Sequence, residues 1–113
     1  MKYLEKIITK ELLRKVLPKE TENLSEDFSF YIDEDYIVFR DEGETLFDYN
    51  IYKFAFKCKK WARDKYDITI SSSLYKNYAK SWNIDKDKSY TAKTEVEVII
   101  EACNWILGVK NDK

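Results

Sequence analysis

Residues 94–107 (TEVEVIIEACNWIL) constrain the fold more than any other stretch of this chain. Thr94-Glu95-Val96-Glu97 is a capping box, in which the threonine hydroxyl and the glutamate carboxylate each satisfy an amide left orphaned at a helix start. The helix it opens carries Val96, Ile99, Ile100, Cys103, Ile106 and Leu107 on one face. Val98, Ala102 and Trp105 stand beside them, and Glu97, Glu101 and Asn104 form a narrow polar strip. A helix so nearly apolar all round must be buried on two sides, and Gly108 is expected to end it.

Upstream, residues 3–17 place Leu4, Ile7, Ile8, Leu12 and Val16 at helical spacing, and Pro18 forbids continuation, which predicts a first helix. Residues 28–40 alternate: Phe28, Phe30 and Ile32, then Asp33-Glu34-Asp35, then Ile37 and Phe39, a hairpin with an acidic tip. A loop around Asp41, Glu42, Gly43 and Glu44 leads to Asp48 or Asn50, either a good N-cap. The helix that follows, over about 51–64, bears the stripe Ile51, Phe54, Ala55, Cys58, Trp61 and Ala62. Ile68 and Ile70 mark a strand, Tyr78, Trp82 and Ile84 one face of a second, and Ser89 to Lys93 a third. The order is α-ββ-α-βββ-α, an α+β fold with helices packed on antiparallel sheet. With 113 residues it forms a single domain, divided into a helix with acidic hairpin (1–48) and an αβββα unit (49–113). That last order is shared, as topology only, with double-stranded RNA-binding domains. The first turn of its closing helix carries Glu95 and Glu97, where such a domain needs cations.

Composition mainly removes chemistries. The chain has no His, 2 Gly and 2 Cys. Histidine-activated nucleophiles, glycine-rich phosphate loops and C-x-x-C redox or zinc sites therefore have no residues to build them. Ser73-Leu74-Tyr75-Lys76 matches S-x-x-K without its companion motifs. Asp85-x-Asp87-x-Ser89 begins like a calcium loop but has Tyr90 where glycine is needed and Val96 where the bidentate glutamate is needed. Glu97 and Glu101 lack a third ligand, and Cys58 and Cys103 fall on apolar stripes. No cofactor, metal or catalytic set is expected, and the chain reads as a non-enzyme. Charged residues interrupt the first twenty positions and no apolar run reaches a bilayer-spanning length, so neither a signal peptide nor a membrane helix is expected. The two lone cysteines suit a reducing cytoplasm.

Charge is segregated. Residues 18–48 carry 2 basic and 11 acidic groups, whereas residues 49–65 carry 6 and 1, within a chain of net charge −1. Two binding surfaces follow. The acidic one comprises Asp33, Glu34, Asp35, Asp41, Glu42 and Glu44 and would dock on a basic partner, or else neutralise the chain's own basic helix. The alternative is a nucleic-acid contact by Lys53, Lys57, Lys60 and Arg63 on one helix face. Lysine outnumbers arginine 17 to 3, with 11 Ile, as A/T-rich codons produce, so lysine clusters are discounted accordingly. Tyr52, Trp61 and Trp105 leave room for a homodimer.

Residues 50–62 (NIYKFAFKCKKWA) and 90–107 (YTAKTEVEVIIEACNWIL) resemble small uncharacterised phage and prophage proteins with a KCKxWA helix and a closing TExExIxxACxWIL helix. The resemblance implies a mobile-element protein acting in a bacterial cytoplasm. The expected function is binding to another protein, a host or defence protein, through the acidic surface.

Overall fold

The computed structural model describes residues 2–84 and 86–111. Asp85, the first residue of the calcium-like stretch, lies outside them. The single helix expected over 3–17 is two helices, α1 (Lys2–Ile7) and α2 (Lys10–Val16). Thr9 interrupts them with extended backbone, and its Oγ1 accepts from the Leu12 amide at 3.1 Å, so a β-branched residue that fits poorly in a helix starts a new one instead. Pro18 stops α2 and occupies the first position of a short α3 (Pro18–Thr21), where its missing N–H is harmless.

The next three strands form an antiparallel meander, β1 (Ser29–Asp33), β2 (Tyr36–Asp41) and β3 (Glu44–Asn50), in the order β1-β2-β3. Strand β3 is not expected from the sequence: the loop around 41–44 leads into a strand rather than directly to the helix cap. Its inward residues Phe47 and Tyr49 are only partly buried, and a bulge opposite Phe39/Arg40 leaves Leu46 unpaired, which breaks the alternation that would reveal a strand. Glu42 and Gly43 both have positive φ (53° and 80°), the backbone of a two-residue hairpin turn.

Helix α4 (Ile51–Tyr66) begins at Asn50, whose Oδ1 accepts from the amides of Tyr52 (2.9 Å) and Lys53 (3.1 Å), which selects Asn50 over Asp48 as the cap. A second meander, β4 (Ile70–Leu74), β5 (Ala79–Asn83) and β6 (Lys88–Ala92), precedes α5 (Glu95–Asn111). The fold is thus α+β, and its latter part has the αβββα order. The capping box forms: the Glu97 carboxylate accepts from the Thr94 amide and hydroxyl, and the Glu97 amide donates to the Thr94 hydroxyl. Helix α5 continues through Gly108, which is exposed and meets nothing a Cβ would touch, so its local penalty of about 1 kcal/mol does not end the helix.

One face assignment is reversed. On β5 the buried residues are Ala79, Ser81 and Asn83, while Tyr78 and Ile84 are exposed and Trp82 lies outward beneath Lys80. Small side chains let α5 lie close on the strand, and the Ser81 hydroxyl donates to the Val98 carbonyl at 2.9 Å. A single core joins both meanders, with Leu4, Leu12, Phe28, Phe39, Phe54, Ile100 and Ile106 fully buried within it.

Candidate binding surfaces

Register decides where the carboxylates stand. Cross-strand neighbours on one face of the first meander are Phe30, Phe39 and Phe47, with Ile32, Ile37 and Tyr49 in the next row; all six pack into or against the core. The opposite face carries Tyr31, Val38 and Asp48 in one row and Asp33, Tyr36 and Asn50 in the next. Val38 is buried on this face, apart from the main core cluster. Tyr31 and Tyr36 are exposed there.

The six acidic residues therefore do not form one patch. Asp33, Glu34 and Asp35 cluster at the β1–β2 turn, where Glu34 sits at φ 52°. Asp41, Glu42 and Glu44 lie at the far end of β2, about 20 Å away for a six-residue strand. Asp41 is occupied locally: its carboxylate accepts from the Ser25 hydroxyl (2.6 Å) and amide (2.8 Å). These two bonds hold its carboxyl below the usual aspartate value. The two tyrosines stand beside the first cluster, and Asp48 lies on the same face opposite Val38, two strands across and one row along from Asp33; the pairing of a strand not expected from sequence places it there. None of Asp33, Glu34, Asp35 or Asp48 makes an ion pair among the described residues. Neutralisation by the chain's own basic helix is thus absent from these four.

On α4, Tyr52, Lys53, Phe56, Lys57, Lys60 and Arg63 point away from the core. Lys57 reaches Glu20 at 3.8 Å and Lys60 reaches Asp64 at 2.7 Å; both pairs are partly exposed and contribute little to stability. Phe56, uncharged and set among these lysines, is 71% exposed. The helical period would have found it, since it falls opposite the stripe of Ile51, Phe54 and Cys58. Of the aromatics expected to offer a dimer surface, Trp61 is instead buried edge-on to Tyr66, and Trp105 is half-buried beneath Lys88. Tyr52 remains exposed.

The nucleophilic and acidic side chains singled out by sequence, and their neighbours, make local hydrogen bonds. Lys59 Nζ donates to Ser72 Oγ (2.8 Å), which donates to Glu95 Oε2 (2.8 Å), a chain that ties α4, β4 and the start of α5 together. The Ser72 hydroxyl thus donates to a carboxylate and accepts from an ammonium, in a part-buried position. Glu97 is engaged in the capping box, and Glu101 accepts from the Tyr3 hydroxyl at 2.8 Å, which raises the phenol pKa. Cys58 and Cys103 are both buried and free, with Cys103 Sγ donating to the Cys58 carbonyl. Burial pushes the Cys58 thiol well up, the opposite of what a reactive cysteine needs. Among the described residues no group of three or more His, Cys, Asp or Glu is placed to hold a metal ion, and no helix is long and apolar enough to cross a membrane. The chain matches no protein-family model, and neither a curated protein nor a solved structure is detectably similar to it.

Proposed function

We propose that this chain is a non-enzymatic, phage-type protein of the bacterial cytoplasm that works by binding a basic surface of another protein, a host or defence protein. The outer face of the β1-β2-β3 meander is the proposed contact. The observation that carries the reading is the combination on that face: Tyr31 and Tyr36 exposed around Val38, beside Asp33, Glu34, Asp35 and Asp48 without ion-pair partners among the described residues. Tyrosines supply large, stiff contact area at low entropic loss, and the carboxylates near the β1–β2 turn steer encounter with an oppositely charged partner, while Arg40, farther along the same face, is held by hydrogen bonds to the Thr45 hydroxyl and the Gly43 carbonyl. The resemblance of residues 50–62 and 90–107 to phage and prophage proteins supplies the setting.

The test is an affinity pull-down of the tagged protein from lysate of a low-GC bacterium, with and without nuclease, read by mass spectrometry. A stoichiometric protein partner that survives nuclease supports the reading. Recovery of nucleic acid alone counts against it.

A further inference from the structure

We infer that the outer ridge of α4 is a second, separate site that takes single-stranded nucleic acid. The proposal does not rest on the acidic face. Along this ridge Tyr52 and Phe56 stand one helical turn apart, about 6 Å, with exposures of 56% and 71%. Phe56 is the most exposed large hydrophobic side chain among the described residues. It forms a wall shared by two open grooves. One, of about 370 Å³, is bounded by Tyr49, Tyr52 and Lys53; the other, of about 230 Å³, is bounded by Lys60, Arg63 and Ile70. The ring thus borders both grooves, and cations line each of them.

The charges fit a phosphate chain. Lys53 and Arg63 make no ion pair among the described residues, and they flank Phe56 at opposite ends of the ridge. Lys57 and Lys60 are held only by partly exposed pairs that phosphates can displace. An aromatic stack with a lysine or arginine track beside it is how single strands are held without sequence preference. Duplex stacks its bases on one another and offers Phe56 no face, so the single strand is the better match. A lipid surface is a poor one, because the apolar stripe of α4 (Ile51, Phe54, Ala55, Cys58) is buried in the core and cannot insert. A second copy docking through the same ridge would set Lys53, Lys57, Lys60 and Arg63 against themselves.

The experiment is fluorescence anisotropy of the full chain with labelled 20-nucleotide single strands of dT and of rU, and a 20-base-pair duplex, over a salt series. The single strands bind more tightly than the duplex. Phe56→Ala weakens single-strand binding roughly 5- to 150-fold, the span expected for loss of one stacked base. Phe56→Trp restores it, which separates stacking from structural damage, and circular dichroism verifies that both variants are folded. Lys53→Ala and Arg63→Ala each reduce the slope of log affinity against log salt by about 0.7. The proposal is overturned if neither single strand binds at low salt, if the duplex binds as tightly and Phe56→Ala changes nothing, or if the ridge variants alter capture of an acidic protein while leaving oligonucleotides unaffected.

Discussion

Two phenylalanines two positions apart on α4 give a sharp test of the core and of the exposed ridge. Phe54 is fully buried and packs in the core, whereas Phe56 is 71% exposed. Truncating a buried phenylalanine to alanine removes its transfer free energy and leaves a cavity, together about 3 to 5 kcal/mol. At Phe56 only about a third of the side chain is hidden. With roughly 200 Å² on a phenylalanine and ~25 cal/mol per Å², that hidden part is worth about 1.5 kcal/mol. Alanine's better helix propensity returns about 0.5 kcal/mol, so the expected loss for Phe56→Ala is near 1 kcal/mol. The assay is urea unfolding followed by tryptophan fluorescence. For a slope of about 1.5 kcal/mol per M, the midpoint falls by about 2 to 3 M for Phe54→Ala and by less than about 0.7 M for Phe56→Ala, with the slope unchanged. Equal losses at the two positions would refute the placement of Phe56 outside the core and remove the stacking ridge with it.

Asn83 is 2% exposed, and among the described residues neither its amide nitrogen nor its carbonyl oxygen has a hydrogen-bond partner, so Asn83→Leu, close in volume, raises stability by about 1 to 3 kcal/mol in the same urea assay; a loss would mean the amide is paired. Asp41 has a carboxyl pKa lowered by the Ser25 hydroxyl and amide, so it contributes stability that is present above the ordinary value of 3.8 and is lost as pH falls through the lower folded value. Asp41→Asn consequently flattens the fall in urea midpoint between about pH 5 and pH 2, and an unchanged profile would contradict the two hydrogen bonds.

Strong local signals carried through to the fold where a residue could act alone. The Thr94–Glu97 capping box, the Asn50 cap and the apolar stripe of α4 each depend on groups a few positions apart, and all three form. What sequence missed depends on tertiary partners. Ile7 and Ile8 keep a helical apolar spacing across the break at Thr9, because helix α2 turns the same residues toward one core. Strand β3 hides behind a bulge, and with it the side chain of Asp48 that completes the acidic face. On β5 the expected rule of large residues inward fails, since close approach of α5 admits only Ala79, Ser81 and Asn83 beneath it. The split of the acidic residues between two ends of β2 follows from pairing geometry that charge counting does not contain. Phe56 is the exception that periodicity alone could have found.

The central claim is that the outer face of the first meander, at its Asp33–Asp35 end, binds a protein. Two double variants address it directly: Asp33→Lys with Glu34→Lys at one end of β2, and Glu42→Lys with Glu44→Lys at the other. The two carry the same change of net charge about 20 Å apart, and each is titrated against the nuclease-resistant partner by calorimetry. The predicted result is loss of binding for the first variant and near-native affinity for the second. Equal affinities for the two variants, or a larger loss at Glu42 and Glu44, would contradict it.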